Sequence, residues 1–104
     1  MTKIFKIMNN GKQIGQIKCS IYLEDEVKCI GLGSFEIYPK FQNQGHGTNA
    51  LKKLIRKLKP NYDLIYCYVD KNNDRAIHIY SKLGKLKDVG KQYMAIFYDR
   101  TKEY

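Results

Sequence analysis

The sequence predicts an α+β domain of the three-layer α/β type: a mixed, mostly antiparallel sheet with two helices, in the order β-β-β-α-β-α-β-β. Three observations carry this. Period-two alternation dominates the first third of the chain. Apolar stripes with helical spacing occupy 48–58 and 75–83. Between them, Leu64-Ile65-Tyr66-Cys67-Tyr68-Val69 is a continuous apolar run of the length of a buried strand. The strand–helix–strand unit from about Lys28 to Val69 should be a right-handed parallel crossover, with the remaining strands antiparallel.

Taken in order, Ile4-Phe5-Lys6-Ile7-Met8 is a short strand, and Asn10-Gly11 is a strong hairpin signal. Gln13 to Tyr22 alternates through Ile14, Ile17, Cys19 and Ile21. Glu24-Asp25-Glu26 is a polar turn. Lys28 to Tyr38 is a third strand, whose internal Gly31 and Gly33 point to a bulge or a close backbone approach. The first helix covers Thr48 to Leu58, with Leu51, Leu54, Ile55 and Leu58 on one face and Lys52, Lys53, Arg56 and Lys57 on the other. Pro60 stops it. The loop Asp70 to Asp74 holds helix-capping residues. The second helix covers Arg75 to Leu83, with Ala76, Ile79, Tyr80 and Leu83 on one side, and Gly84 ends it. Leu86 to Val89 and Gln92 to Tyr98 complete the strands, and Arg100 to Tyr104 should fray.

With 104 residues the chain is one domain, 1–104, with a core of limited margin. A formal charge of +9 favours acidic partners: phosphates, nucleotides, nucleic acid or an acidic protein face. Cys19, Cys29 and Cys67 lack metal-site spacing and sit in strand-like runs, so buried reduced thiols are expected and a metal site is not. With no signal peptide and no apolar run of membrane length, the chain reads as cytoplasmic.

The segment Gln42-Asn43-Gln44-Gly45-His46-Gly47-Thr48 compresses a strand end, a glycine turn and a helix start. Glycines let backbone approach a ligand, and the first free N–H groups of a helix bind anions, so a pyrophosphate cradle is expected here. The bland alternative is an ordinary turn with a helix cap.

Ile37-Tyr38-Pro39-Lys40-Phe41-Gln42-Asn43-Gln44-Gly45-His46-Gly47 resembles the acetyl-coenzyme A motif of the GCN5-related N-acetyltransferases (GNAT). A second segment, Val69 to Gly84, resembles that family's strand followed by Asn-x-x-Ala, Tyr and Leu-Gly, here Asn73, Ala76, Tyr80 and Leu83-Gly84. Together they cover about Leu32 to Gly84. The chain departs where Lys85 replaces the usual Phe. It also opens near the family's second strand, as a minimal member without the N-terminal strand and helices that wall the acceptor site.

The resemblance implies a central parallel strand pair that splays apart, and direct acetyl transfer from acetyl-coenzyme A to an amine. The cofactor would meet the backbone of Phe35 and Ile37, the turn residues Gln42, Gln44, Gly45, His46, Gly47 and Thr48, and Asn73, Ala76 and Tyr80. Tyr80 matches the family's general acid; its bland role is a packed aromatic. Asn73 can reach the cofactor, cap the helix, or do both. No carboxylate stands at Gly31 or Tyr68, which correspond to the usual base positions, so Glu36 and Asp70 are the base candidates, with surface charges as the alternative. The open acceptor face favours a protein or peptide amine. The alternatives are a polyamine or aminoglycoside acceptor, or a binding module for coenzyme A or nucleic acid. The basic helix 49–59 can meet nucleic acid or an acidic partner, no membrane partner is expected, and exposed strand edges leave room for a homodimer.

Overall fold

A computed structural model describes residues 1–42 and 45–102. Gln44, expected in the cradle, lies outside the described residues. Strands β1 (Thr2–Asn9) and β2 (Lys12–Glu24) form a hairpin closed by Asn10 and Gly11, at φ 51° and 76°. Two successive left-handed residues are the signature of the type I′ turn that matches strand twist. A second two-residue turn, Asp25-Glu26, links β2 to β3 (Val27–Ile37). A 3-10 turn over Pro39–Phe41 leads to α1 (His46–Leu58), then β4 (Leu64–Asp70), α2 (Asp74–Leu83), β5 (Lys85–Asp88) and β6 (Gln92–Asp99). The element order is the expected one. The sheet runs β1-β2-β3-β4-β6-β5, and only β3 and β4 pair in parallel.

That parallel pair comes apart. Its register runs from Cys29 opposite Leu64 to Gly31 opposite Tyr66 and stops there. Beyond that point β3 follows β2, with Phe35 opposite Ile17, while β4 follows β6, with Val69 opposite Tyr93. The β2–β3 register shifts between Ile17 and Cys19, so Lys18 faces the two residues Gly33 and Ser34. Such a bulge bends the strand and sharpens its twist, which turns β3 away from β4. Gly31 marks the last joined pair for a steric reason. A Cβ there would sit 3.0 Å from the Tyr66 hydroxyl, so glycine leaves room for that ring to cross β3 and meet Tyr22, hydroxyl to hydroxyl at 2.5 Å.

The core lies on one face of the sheet. Ile17, Cys19, Ile30, Leu32, Ile65, Cys67, Ala95 and Phe97 meet Leu51, Ile55 and Leu58 of α1. Each such aliphatic side chain contributes about 1.5–3 kcal/mol on burial, so the apolar stripe, not the lysine-rich face, holds α1 in place. Tyr80 of α2 packs edge-on against Phe97 on the same face, with ring centroids 5.7 Å apart. Both helices therefore share one side of the sheet among the described residues, and two-residue hairpins, not helices, join the first three strands.

All three cysteines are buried and free. Of the tail expected to fray, residues 100–102 are fixed, and residues 103 and 104 lie outside the described residues. Arg100–Lys102 form a 3-10 turn, and the Arg100 amide donates to the Asp63 carbonyl at 2.7 Å.

A candidate acyl-donor site where the sheet divides

A cleft of about 380 Å³ opens on the helical side of the divided strands. Phe35 and Ile37 of β3 form one wall, the start of α1 forms its end, and the first two turns of α2 form the other wall. Gly45, His46, Gly47 and Thr48 all line it, as do Gln42, Asn73, Ala76 and Tyr80.

The start of α1 is unusual. Gly45 precedes the helix at φ 76°, no side chain caps it, and its first turn holds no acidic residue. The first N–H groups of a helix have no intrahelical partner, so this end presents donors and the positive end of the helix dipole. A Cβ on Gly47 would meet the Phe35 ring at 3.4 Å, so glycine allows the helix to lie close on that side chain. Gln42 holds the preceding turn by donating its Nε2 to the Ile37 carbonyl at 2.8 Å.

The opposite wall is held by Asn73. Its Oδ1 accepts from the Ala76 amide at 3.2 Å and so caps α2, and the residue also borders the cleft. Deeper in, Tyr80 is half-buried and its hydroxyl lies beside the Cys67 thiol. Burial, then the neighbouring Cys67, pushes the Tyr80 phenol up to about 12. Burial likewise pushes the Cys67 thiol up to about 12, against the opposing pull of the Tyr80 hydrogen bond. Both groups are neutral across the ordinary pH range.

A sequence model of the acetyltransferase (GNAT) family matches residues 2–85. The chain belongs to that family. Among solved structures it is similar to a GNAT family acetyltransferase from Elizabethkingia anophelis with acetyl-CoA bound (22% identity, 84% of this chain and 56% of that chain, TM-score 0.68). It is also similar to mutant forms of the spermidine/spermine N-acetyltransferase SpeG from Vibrio cholerae (17%, 92% and 67%, TM-score 0.71). A third is a ribosomal-protein alanine N-acetyltransferase from Escherichia coli (24%, 91% and 65%, TM-score 0.65). This chain thus spans between 56% and 67% of the length of these three. No curated protein sequence matches it.

Within this GNAT fold the two carboxylates singled out in the sequence are not in the cleft. Phe35 and Ile37 line it, so Glu36 between them points to the reverse face by strand alternation. Asp70 is exposed at the end of β4, on the same side as Tyr68, and accepts from Gln92 Nε2 at 2.9 Å. The structure therefore places Glu36 and Asp70 on the two divided strands, behind the cleft rather than inside it. His78 is exposed on α2, away from the cleft. Three further lining residues are not evident in the motifs: Leu51, Arg75 and Ile79. Helical phase carried a signal for two of them, since Leu51 follows Thr48 and Ile79 follows Ala76 at a spacing of three. Among the described residues no cluster of His, Cys, Asp or Glu could hold a metal ion.

Proposed function

We propose that this chain transfers an acetyl group from acetyl-coenzyme A to the amine of a protein or peptide. The observation that carries the reading is the division of β3 from β4 beyond Gly31 and Tyr66, with the uncapped start of α1 at one end of the opening and Tyr80 beside it. The residues fit the donor's pyrophosphate: the α1 end is positive, glycine-lined and free of acidic side chains. On its β4 side, β3 from Leu32 to Ile37 has no strand partner, so its backbone can pair with an extended chain such as a pantetheine arm.

When bound, acetyl-coenzyme A supplies an activated acetyl group whose sulfur departs as a thiolate. Tyr80 is the donor that meets it. A phenol held protonated donates a hydrogen bond that stabilises the departing thiolate, whose ordinary pKa of about 8.5 leaves the phenol its proton. The acceptor amine approaches from the reverse face, which no helix of the described residues covers. There Glu36 or Asp70 takes its proton, directly or through water. Holding amine and acyl group on the two sides of one opening fixes their approach, an advantage that unconnected reactants lack.

The uncovered face supports a macromolecular acceptor, because a small amine is selected by walls. The +9 charge disfavours polycations such as polyamines. The test is acetyl-coenzyme A turnover with a lysine-containing peptide bearing a free N-terminus, set against spermidine and an aminoglycoside. The reading predicts acetylated peptide by mass spectrometry. Faster turnover of spermidine would overturn the acceptor class, and no turnover of any amine would overturn the activity.

A further inference from the structure

A second concavity lies apart from the cleft, between the outer edge of the sheet and α1. It encloses about 150 Å³, room for one large side chain. Its floor is apolar, built by Phe5, Ile17 and Leu54, and its rim carries Lys6, Lys53 and Lys57. No carboxylate pairs with these lysines among the described residues. The adjoining strand β1 is bonded only to β2, so its outer row of backbone donors and acceptors has no strand partner. Ile4 and Met8 stand exposed on that strand, at 56% and 51%. The β1–β2 register shifts between Ile7 and Met8, and both of these neighbours border the groove.

We propose that this groove docks an acidic peptide segment of a partner protein, laid along β1 as an added strand. One apolar side chain of the segment fills the floor, and its carboxylates meet Lys6, Lys53 and Lys57. Three features favour a peptide over nucleic acid. The floor holds one aromatic ring, the half-buried Phe5, rather than a platform on which successive bases could stack. The free strand edge supplies main-chain hydrogen bonds, the usual source of affinity in strand addition. The lysines also surround an apolar floor rather than form a continuous polar track. Residues 50, 53, 54 and 57 of α1 face this groove while 47, 48 and 51 face the cleft, so a docked segment leaves the donor site open.

The experiment is fluorescence anisotropy with the full chain and a labelled peptide that places a leucine between glutamates. The expected result is saturable binding that weakens with added salt, and weakens about tenfold in the double variant K53E/K57E. The same peptide with glutamines for glutamates should bind poorly. Both substituted lysines are exposed, so circular dichroism should show an unchanged fold. Acetyl-coenzyme A titration should be unchanged in the variant. No binding, undiminished binding by K53E/K57E, or equal binding of the glutamine peptide overturns the proposal. So does a single-stranded oligonucleotide that displaces the peptide and is itself lost in K53E/K57E, which would assign the basic face to nucleic acid.

Discussion

The start of α1 closes one end of the cleft and the start of α2 forms a wall of it, and their first turns are built differently. α2 starts with Asn73, whose Oδ1 caps the Ala76 amide, and carries Asp74 in its first turn. Its dipole and its free donors are answered from within the chain. α1 starts with a left-handed glycine, has no side-chain cap and has no acid in its first turn. The stability that a cap ordinarily gives, about 0.5–2 kcal/mol, is forgone there. Under the proposed function the difference has a simple meaning. The α1 end answers a ligand's charge, while α2 is finished locally and presents Tyr80 from its second turn. Changes at α1 should then alter binding, and changes at α2 should alter rate or stability.

The largest expected effect is on rate. Tyr80→Phe keeps the ring against Phe97 and removes the hydroxyl. Steady-state assays should show kcat lower by roughly 10²-fold or more, the usual contribution of a positioned acid, with little change in acetyl-coenzyme A affinity. A fall in affinity with unchanged kcat would assign Tyr80 to binding and blur the contrast between the helices.

Next comes the conversion of one helix start into the other. Thr48→Asp places a carboxylate in the first turn of α1, as Asp74 does in α2. It should leave the melting temperature unchanged or raise it, because an acid there favours the helix by about 0.3–1 kcal/mol. It should also weaken acetyl-coenzyme A by about one to two orders of magnitude through repulsion of the pyrophosphate. Opposite movements of stability and affinity are the signature to look for. If both fell together, loss of fold would explain the change.

Asn73→Ala tests the other start. Urea unfolding should show a loss of about 1 kcal/mol, and Asn73→Ser should restore most of it. Were stability unchanged, the cap would be idle and Asn73 would serve the cleft alone.

The smallest effect at neutral pH concerns the buried acids. The Tyr80 phenol rises from 10.0 to about 12 in the fold, and the Cys67 thiol from 9.0 to about 12. Each therefore holds its proton more tightly folded than unfolded. Their stability contribution is full below the unfolded values, and it is lost as pH rises through the folded ones. Melting temperature should be insensitive to these groups up to about pH 9 and should fall between about pH 9 and 12. Tyr80→Phe should make that fall shallower.

Much of this was legible in the sequence because it depends on local rules. Asn10-Gly11 specified a tight hairpin, and the stripe Leu51, Ile55, Leu58 specified the buried face of α1. Gly31 foretold a close approach, though not that the Tyr66 ring was the group approaching. What escaped the sequence depends on distant partners. Cys67 meets Tyr80 only because α2 folds back across β4. Alternation already turned Glu36 away from the face of Phe35 and Ile37, but which face the acceptor meets was not legible, and Asp70 stood only as a strand-end candidate. Arg75 borders the cleft, and nothing in its spacing distinguished it from a surface cation at a helix start. The tail read as frayed because Asp63, which receives the Arg100 amide, is remote in sequence.

The measurement that bears most directly on the central claim is calorimetric titration of acetyl-coenzyme A into the wild-type protein. One site per chain is expected, with Kd on the order of micromolar, and a comparable site for coenzyme A, since the pyrophosphate is common to both. No heat from either ligand, with circular dichroism showing a folded protein, would contradict it. The glycine-led start of α1 would then be scaffold without a ligand.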